Sequence, residues 1–321
     1  MAKDISVAIG DFKPERGGVI KDDVVTGRVY GNAAGPVVIV LGGISAGRFV
    51  ADHPSGKPGW WSTLVRDGGP IDTARLRVIG YDFAPSQDEK NPVSITTGDQ
   101  ARRLMALLKS QGIERADAII GSSYGGMTGL AFAQNYPDAI GHLCVIGASH
   151  RPYPIGVAWR GIQRRIVRLG VEAGRPKEGM KLARELAMTT YRTAAEFSDR
   201  FDLKEVSRNP SVFDICGYLG SRGDVFAEQM DAQRFLAMSE SIDLHRVDPE
   251  KITTPTLVMG AISDQLAPLP DIRELRDRLA GPAELYTFTS LFGHDAFLKE
   301  YDAMGPRIEA FCGALGQAPD L

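Results

Sequence analysis

Three residues far apart in the chain form an ordered set suited to nucleophilic catalysis: Ser123, Asp264 and His294. Ser123 lies in Gly121-Ser122-Ser123-Tyr124-Gly125, a G-x-S-x-G pentapeptide in which only the second serine has a glycine two residues to either side. The apolar run Asp117-Ala118-Ile119-Ile120 leads into it, and a helical pattern over 126–136 leaves it before Pro137. A strand that enters a helix through such a turn holds the serine in a strained conformation with its hydroxyl exposed above the sheet. The helix N-terminus behind it favours developing negative charge.

A serine hydroxyl is a weak nucleophile without a base. The expected order is serine, acid, histidine, with the acid after a late strand and the base after the last one. The candidate strand 256–260 runs into Ala261-Ile262-Ser263-Asp264, and the candidate strand 284–288 runs into Leu291-Phe292-Gly293-His294. His294 is the only histidine after residue 245. Asp264 would fix the imidazole tautomer, and His294 would take the proton from Ser123. An oxyanion site needs two backbone N–H groups. Tyr124, directly after the nucleophile, would supply one. Ile44, in the glycine-rich loop Leu41-Gly42-Gly43-Ile44-Ser45, would supply the other, with Gly43 as the adjacent alternative.

The elements that must position these groups follow from hydrophobic patterning. Val37–Leu41, 76–83, 117–121 and 142–147 are short apolar runs, as expected for strands buried on both faces of a parallel sheet. Helical spacing separates them, as in Leu104, Leu107 and Leu108 behind a cap at Thr97 or Asp99. Alternating strands and helices predict an α/β fold with a mostly parallel, right-handed sheet. Residues 1–30 alternate weakly, enough for one or two edge strands. Between 151 and 247 no parallel strand is expected. Helical blocks at 157–171, 177–188 and 224–240 predict an inserted helical lid, which leaves 1–150 and 248–321 as the core. Helices at 270–279 and 295–311 complete it, and the tail 316–321 is expected to be loose.

Composition excludes several classes. Among 321 residues, 43% are hydrophobic and the net charge is −3, which suits an ordinary soluble globular protein and gives no reason to expect nucleic acid or an anionic membrane as partner. No signal peptide and no membrane-spanning run is legible. Three scattered cysteines fit reduced thiols in the cytoplasm, and five scattered histidines fit no metal-ligand spacing.

The segment Gly293-His294-Asp295-Ala296-Phe297-Leu298, with Ser263-Asp264 upstream and the elbow Gly-x-Ser-x-Gly-Gly-Met, resembles the homoserine O-acyltransferases of methionine biosynthesis. The likeness runs from about Gly35 to Phe311. It implies an α/β-hydrolase fold, no metal or cofactor, and an acyl-CoA co-substrate whose acyl group passes through Ser123 to L-homoserine. It also implies a homodimer formed through the helical lid. In the family the Asp after the catalytic His binds the ammonium of the acceptor, which corresponds to Asp295. An insertion arginine binds its carboxylate, and the matching position is read as Arg192, with Tyr191 beside it. The Gly42-Gly43-Ile44-Ser45 loop and Pro58-Gly59-Trp60-Trp61 look more like the succinyl-transferring branch, which favours succinyl-CoA over acetyl-CoA. A succinyl carboxylate needs a cation, and Arg48 is the candidate read from the sequence. Acylation of serine and simple ester hydrolysis are the alternatives on the same scaffold.

Overall fold

The computed structural model describes residues 2–87, 89 and 92–316, so most of the tail expected to be loose, 317–321, lies outside the described residues. In chain order the core begins with strands β1 (Lys3–Phe12), β2 (Ile20–Gly31), β3 (Val37–Leu41), β4 (Val65–Arg66), β5 (Ile71–Asp72) and β6 (Arg77–Tyr81). Helix α1 (Thr97–Ser110), β7 (Ala116–Ser122), α2 (Tyr124–Asn135) and β8 (Ile140–Ile146) follow. After β8 come α3 (Pro154–Glu172), α4 (Pro176–Tyr191), α5 (Ala194–Arg200), the short pair β9 (Glu205–Arg208) and β10 (Ser211–Phe213), α6 (Asp214–Gln229) and α7 (Ala232–Leu244). Then β11 (Thr256–Ala261), α8 (Leu269–Arg278), β12 (Ala283–Phe288) and α9 (Tyr301–Gly313) close the chain.

Eight strands form one sheet in the order β1-β2-β6-β3-β7-β8-β11-β12. The β1/β2 and β2/β6 pairs are antiparallel, and every later neighbour pair is parallel. The weak alternation before residue 31 thus becomes a long edge hairpin. The central runs are buried on both faces, as their unbroken apolar character requires. Ile39, Leu41 and Ile119 pack with Leu104 and Leu107 of α1, Phe132 of α2 and Ile272 of α8. Val38, Val40 and Ile120 face the other way, onto Trp61 and onto Met304 and Ile308 of α9. Each such fully buried side chain contributes roughly 1.5–3 kcal/mol. No helix among the described residues is long and apolar enough to cross a membrane.

Three local expectations change. Helix α1 is capped one residue earlier, by Thr96, whose hydroxyl accepts the Asp99 amide while the Asp99 carboxylate accepts the Thr96 amide. The helix expected over 224–240 is two helices, because Asp231 turns its side chain onto the amides of Gln233 and Arg234 and starts α7 afresh. The helix expected from residue 295 is a 3₁₀ turn, Gly293–Leu298, followed by α9. Val167, Met180, Phe226 and Phe235 hold α3, α4, α6 and α7 together in a third apolar cluster, against which Ile44 of the core packs.

Candidate functional site

Ser123 joins β7 to α2 with φ 52° and ψ −120°, a conformation that costs of order 1–3 kcal/mol for a non-glycine residue. Its surroundings enforce it. The Ser123 amide donates to the Ile146 carbonyl at 2.8 Å, and the Gly125 amide donates to the Gly42 carbonyl at 2.8 Å. Side chains are excluded at both flanking glycines. A Cβ on Gly121 would lie 2.3 Å from the Gly125 carbonyl oxygen, and one on Gly125 would lie 2.3 Å from that of Leu41. Ser122 is fully buried, its hydroxyl turned toward the Leu41 carbonyl at 3.5 Å.

The sheet topology places the three separated residues side by side. Asp264 follows β11, and His294 lies on the 3₁₀ turn after β12. His294 Nε2 is 2.8 Å from Ser123 Oγ, and its Nδ1 is 2.8 Å from Asp264 Oδ2. The other Asp264 oxygen accepts the amides of Leu266 and Ala267 at 2.8 and 3.0 Å, which locks the carboxylate in place. With Asp264 ionised, Nδ1 donates and Nε2 is left to accept the serine proton. Burial pushes the imidazole toward its neutral form, but Asp264, and behind it Asp295, outweigh this and hold its pKa above the ordinary 6.5. The arrangement can therefore deprotonate Ser123 and store the proton beside a carboxylate.

Tyr124 is the first residue of α2, so its amide has no acceptor within the helix. The Ile44 amide likewise meets no acceptor among the described residues. Both residues line the cavity that opens onto Ser123. The Ile44 loop is held from behind by Arg234 of α7, which donates to the carbonyls of Ile44 at 3.3 Å, Pro85 at 2.8 Å and Phe83 at 3.3 Å.

The cavity is roofed by α3 and α4, with Arg160, Arg184 and Tyr191 in its wall and Asp295 beside His294. Asp295 and Tyr191 are thus brought to the site; the Tyr191 and His294 ring centroids are 6.0 Å apart. Arg192 is not. It caps α4 in an extended conformation, is buried, and gives its guanidinium to Asp295 at 2.8 Å and Glu196 at 2.7 Å. Arg48 also lies elsewhere. It lines a separate cleft, paired with Asp82 and, at 3.5 Å, with Asp4. Two arginines in the wall went unread in the sequence. Arg184, on α4, lies over the rings of Tyr191 and Phe226 and has no carboxylate partner among the described residues. Arg160 reaches the cavity from α3. The legible signal for Arg184 was its spacing: seven residues before Tyr191, it shares that face of the helix.

Comparison with known proteins agrees with this geometry. Residues 36–301 match the family described as the alpha/beta hydrolase fold. The chain is similar to a homoserine O-succinyltransferase from Xanthomonas campestris, at 39% identity over 88% of this chain and 76% of that protein. It is similar to a serine O-succinyltransferase from Litchfieldella anticariensis, at 29% identity over 94% of this chain and 96% of that protein. Its fold matches the crystal structure of homoserine O-acetyltransferase from Bacillus anthracis with a TM-score of 0.90, at 19% identity over 99% of each chain. An α/β-hydrolase fold, an elbow serine within reach of a histidine, and a relative of this identity and coverage lead to one conclusion: the chain belongs to the homoserine O-acyltransferase family and is an acyltransferase.

Proposed function

We propose that this enzyme transfers the succinyl group of succinyl-CoA to the hydroxyl of L-homoserine, through an ester on Ser123. The observation that carries the reading is a meeting in one cavity. Ser123 and His294, with Asp264 bonded behind the imidazole, lie there with the Asp295 carboxylate and the unpaired Arg184 guanidinium. A carboxylate and a guanidinium together complement a zwitterionic amino acid. Arg184 therefore takes the place expected for Arg192, whose guanidinium is already occupied by Asp295 and Glu196.

Ser123 Oγ attacks the thioester carbonyl carbon as its proton passes to His294 Nε2. The amides of Tyr124 and Ile44 receive the developing oxyanion. The C–S bond breaks, the sulfur takes the proton from Nε2, and CoA leaves as the thiol. The homoserine hydroxyl then attacks the ester carbonyl and gives its proton to Nε2. The bond between the acyl carbon and Ser123 Oγ breaks, and the proton on Nε2 returns to Oγ. Asp264 holds the imidazole tautomer in both halves. Residues 151–247 act as a lid that keeps water from the ester.

The Xanthomonas relative is a homoserine O-succinyltransferase, which supports both donor and acceptor. The Litchfieldella name favours serine as a second acceptor. One methylene discriminates by only about 1–3 kcal/mol in a pocket. A matrix of succinyl-CoA and acetyl-CoA against homoserine and serine, read by mass spectrometry of the amino-acid product, tests the assignment. O-succinylhomoserine is expected to dominate. No acyl amino acid from any pairing would sink the reading.

A homodimer through the helical segment is part of the proposal. Among the described residues, eight of the eleven exposed large apolar side chains lie between Ile155 and Val225. Ile155, Ile162 and Leu169 recur every seventh residue along α3, as one stripe. Light scattering should return twice the chain mass of 34.7 kDa, and a monomer mass would contradict it.

A further inference from the structure

The two residues whose amides face the reacting carbonyl, Ile44 and Tyr124, are both tied to α7 by their other atoms. The Ile44 carbonyl accepts Arg234 Nη1 at 3.3 Å. The peptide that carries the Ile44 amide is fixed at its own carbonyl, Gly43, which accepts the Ala46 amide at 2.9 Å. The Tyr124 hydroxyl lies 2.6 Å from Ser241 Oγ. Arg234 and Ser241 are seven residues apart, so they stand on one face of α7, and both are buried.

The two supports meet in one network. Gln100 of α1 donates from Nε2 to the Tyr124 hydroxyl at 3.3 Å and to the Ala84 carbonyl at 2.6 Å, and its Oε1 accepts the Ala84 amide at 3.1 Å. Arg234 grips the same segment through the carbonyls of Phe83 and Pro85. The Phe83 ring stands edge-on to Tyr124, with centroids 4.9 Å apart. A buried network of this kind, with its polar groups satisfied, is rigid. Arg234 meets no carboxylate at ion-pair distance among the described residues, and burial holds its pKa below the ordinary value. A buried cation without a counter-ion is costly. An apolar side chain would serve α7 better if packing were the only task.

We infer that Arg234 and Ser241 are positioning residues through which the last lid helix sets the spacing of the two oxyanion donors. Acyl transfer then requires α7 to be seated on the core. This rests on the oxyanion assignment of the acyl-transfer reading and adds what holds it. Arg234→Met, Arg234→Lys, Ser241→Ala and Tyr124→Phe should be compared with wild type for the rate and amplitude of the first CoA burst and for the rate of transfer to homoserine. An oxyanion forms in both half-reactions, so each variant should slow both by one factor. That factor should be about 30-fold for Arg234→Met, smaller for Lys, and about three- to tenfold for Ser241→Ala and Tyr124→Phe. KM for homoserine should move by less than about threefold, and the burst amplitude should hold. Tyr124→Phe deletes a single oxygen and serves should the Arg234 variants not fold. Unchanged rates, a fall in amplitude with rates intact, or an effect confined to the homoserine step would overturn the inference. The burst of p-nitrophenol from p-nitrophenyl acetate needs neither CoA nor homoserine and should slow by the same factors. If it does so while no acyl amino acid forms from any pairing, the transfer reading falls and the positioning role stands.

Discussion

Ser123→Ala is expected to lower the rate of CoA release by about 10⁴-fold or more, whereas Ser122→Ala should change it by only a few-fold. The two serines are adjacent in sequence and opposite in environment. Ser123 Oγ is 2.8 Å from His294 Nε2 at the mouth of a cavity, while the Ser122 hydroxyl is buried beside a strand carbonyl. Loss of Ser123 removes the covalent route, a deficit of about 5–6 kcal/mol at 1.36 kcal/mol per tenfold. What survives is the oxyanion site and substrate positioning. A thiol reagent follows CoA release. Intact-mass spectrometry of wild type, quenched with donor and no acceptor, should find an acyl adduct on the peptide carrying Ser123. A Ser123→Ala enzyme that retained more than about a hundredth of wild-type turnover, or that still formed the adduct, would refute a serine ester intermediate.

The fold and the relay were legible because each rests on local chemistry. Five-residue apolar runs between glycines have few other uses than a buried parallel strand, and β3, β7 and β11 appear where those runs stand. Asp264 and His294 could be found because the residues just past a strand's C-terminal end fall at one edge of the sheet. The wall of the cavity was harder to read. Arg184 and Arg192 lie on the same stretch of α4, and the choice between them turns on where the helix stops. At Arg192 the backbone leaves helical geometry, with φ −100° and ψ 156°, and the side chain turns to Asp295 and Glu196. Arg184 remains in phase with Ala187 and Tyr191, on the cavity face. A cap of this kind depends on Asp295, 103 residues away in the chain, as well as on the nearby Glu196, and periodicity carries no trace of the distant partner. Arg48 lies outside the cavity for a related reason. It follows the oxyanion loop directly, yet it pairs with Asp82 and Asp4 and lines a separate cleft.

The fate of the Ser123 ester should be decided by Asp295 and Arg184. Asp295→Asn and Arg184→Gln are each expected to lower kcat/KM for homoserine by about a hundredfold or more, while the first burst of CoA from succinyl-CoA keeps its amplitude. The reason is the order of events. Donor attack needs Ser123, His294 and the oxyanion amides, which both variants keep; losing the Asp295 charge lowers the His294 pKa and can slow the burst without reducing its amplitude. The acceptor's ammonium and carboxylate must be held while its hydroxyl meets Nε2, and removing one partner of a desolvated charge pair costs about 2–5 kcal/mol. Asn preserves the shape of Asp295, and Arg192 retains Glu196, so the buried cation beneath the site is not stranded. Arg192 thus acts on the acceptor indirectly, by fixing one oxygen of Asp295. In both variants the ester should persist until water reaches it, so slow hydrolysis should replace transfer. Rapid-quench kinetics separates the two steps, and mass spectrometry separates free succinate from its amino-acid ester. If hydrolysis and transfer fall together, these residues serve the first half-reaction and the acceptor is held elsewhere. If transfer is untouched while p-nitrophenyl esters turn over quickly without homoserine, the cavity belongs to a hydrolase. A cavity with an amino-acid-shaped pair of charges beside its base predicts neither outcome: the ester should wait for an amine-bearing alcohol because only that acceptor brings charges to complete the wall.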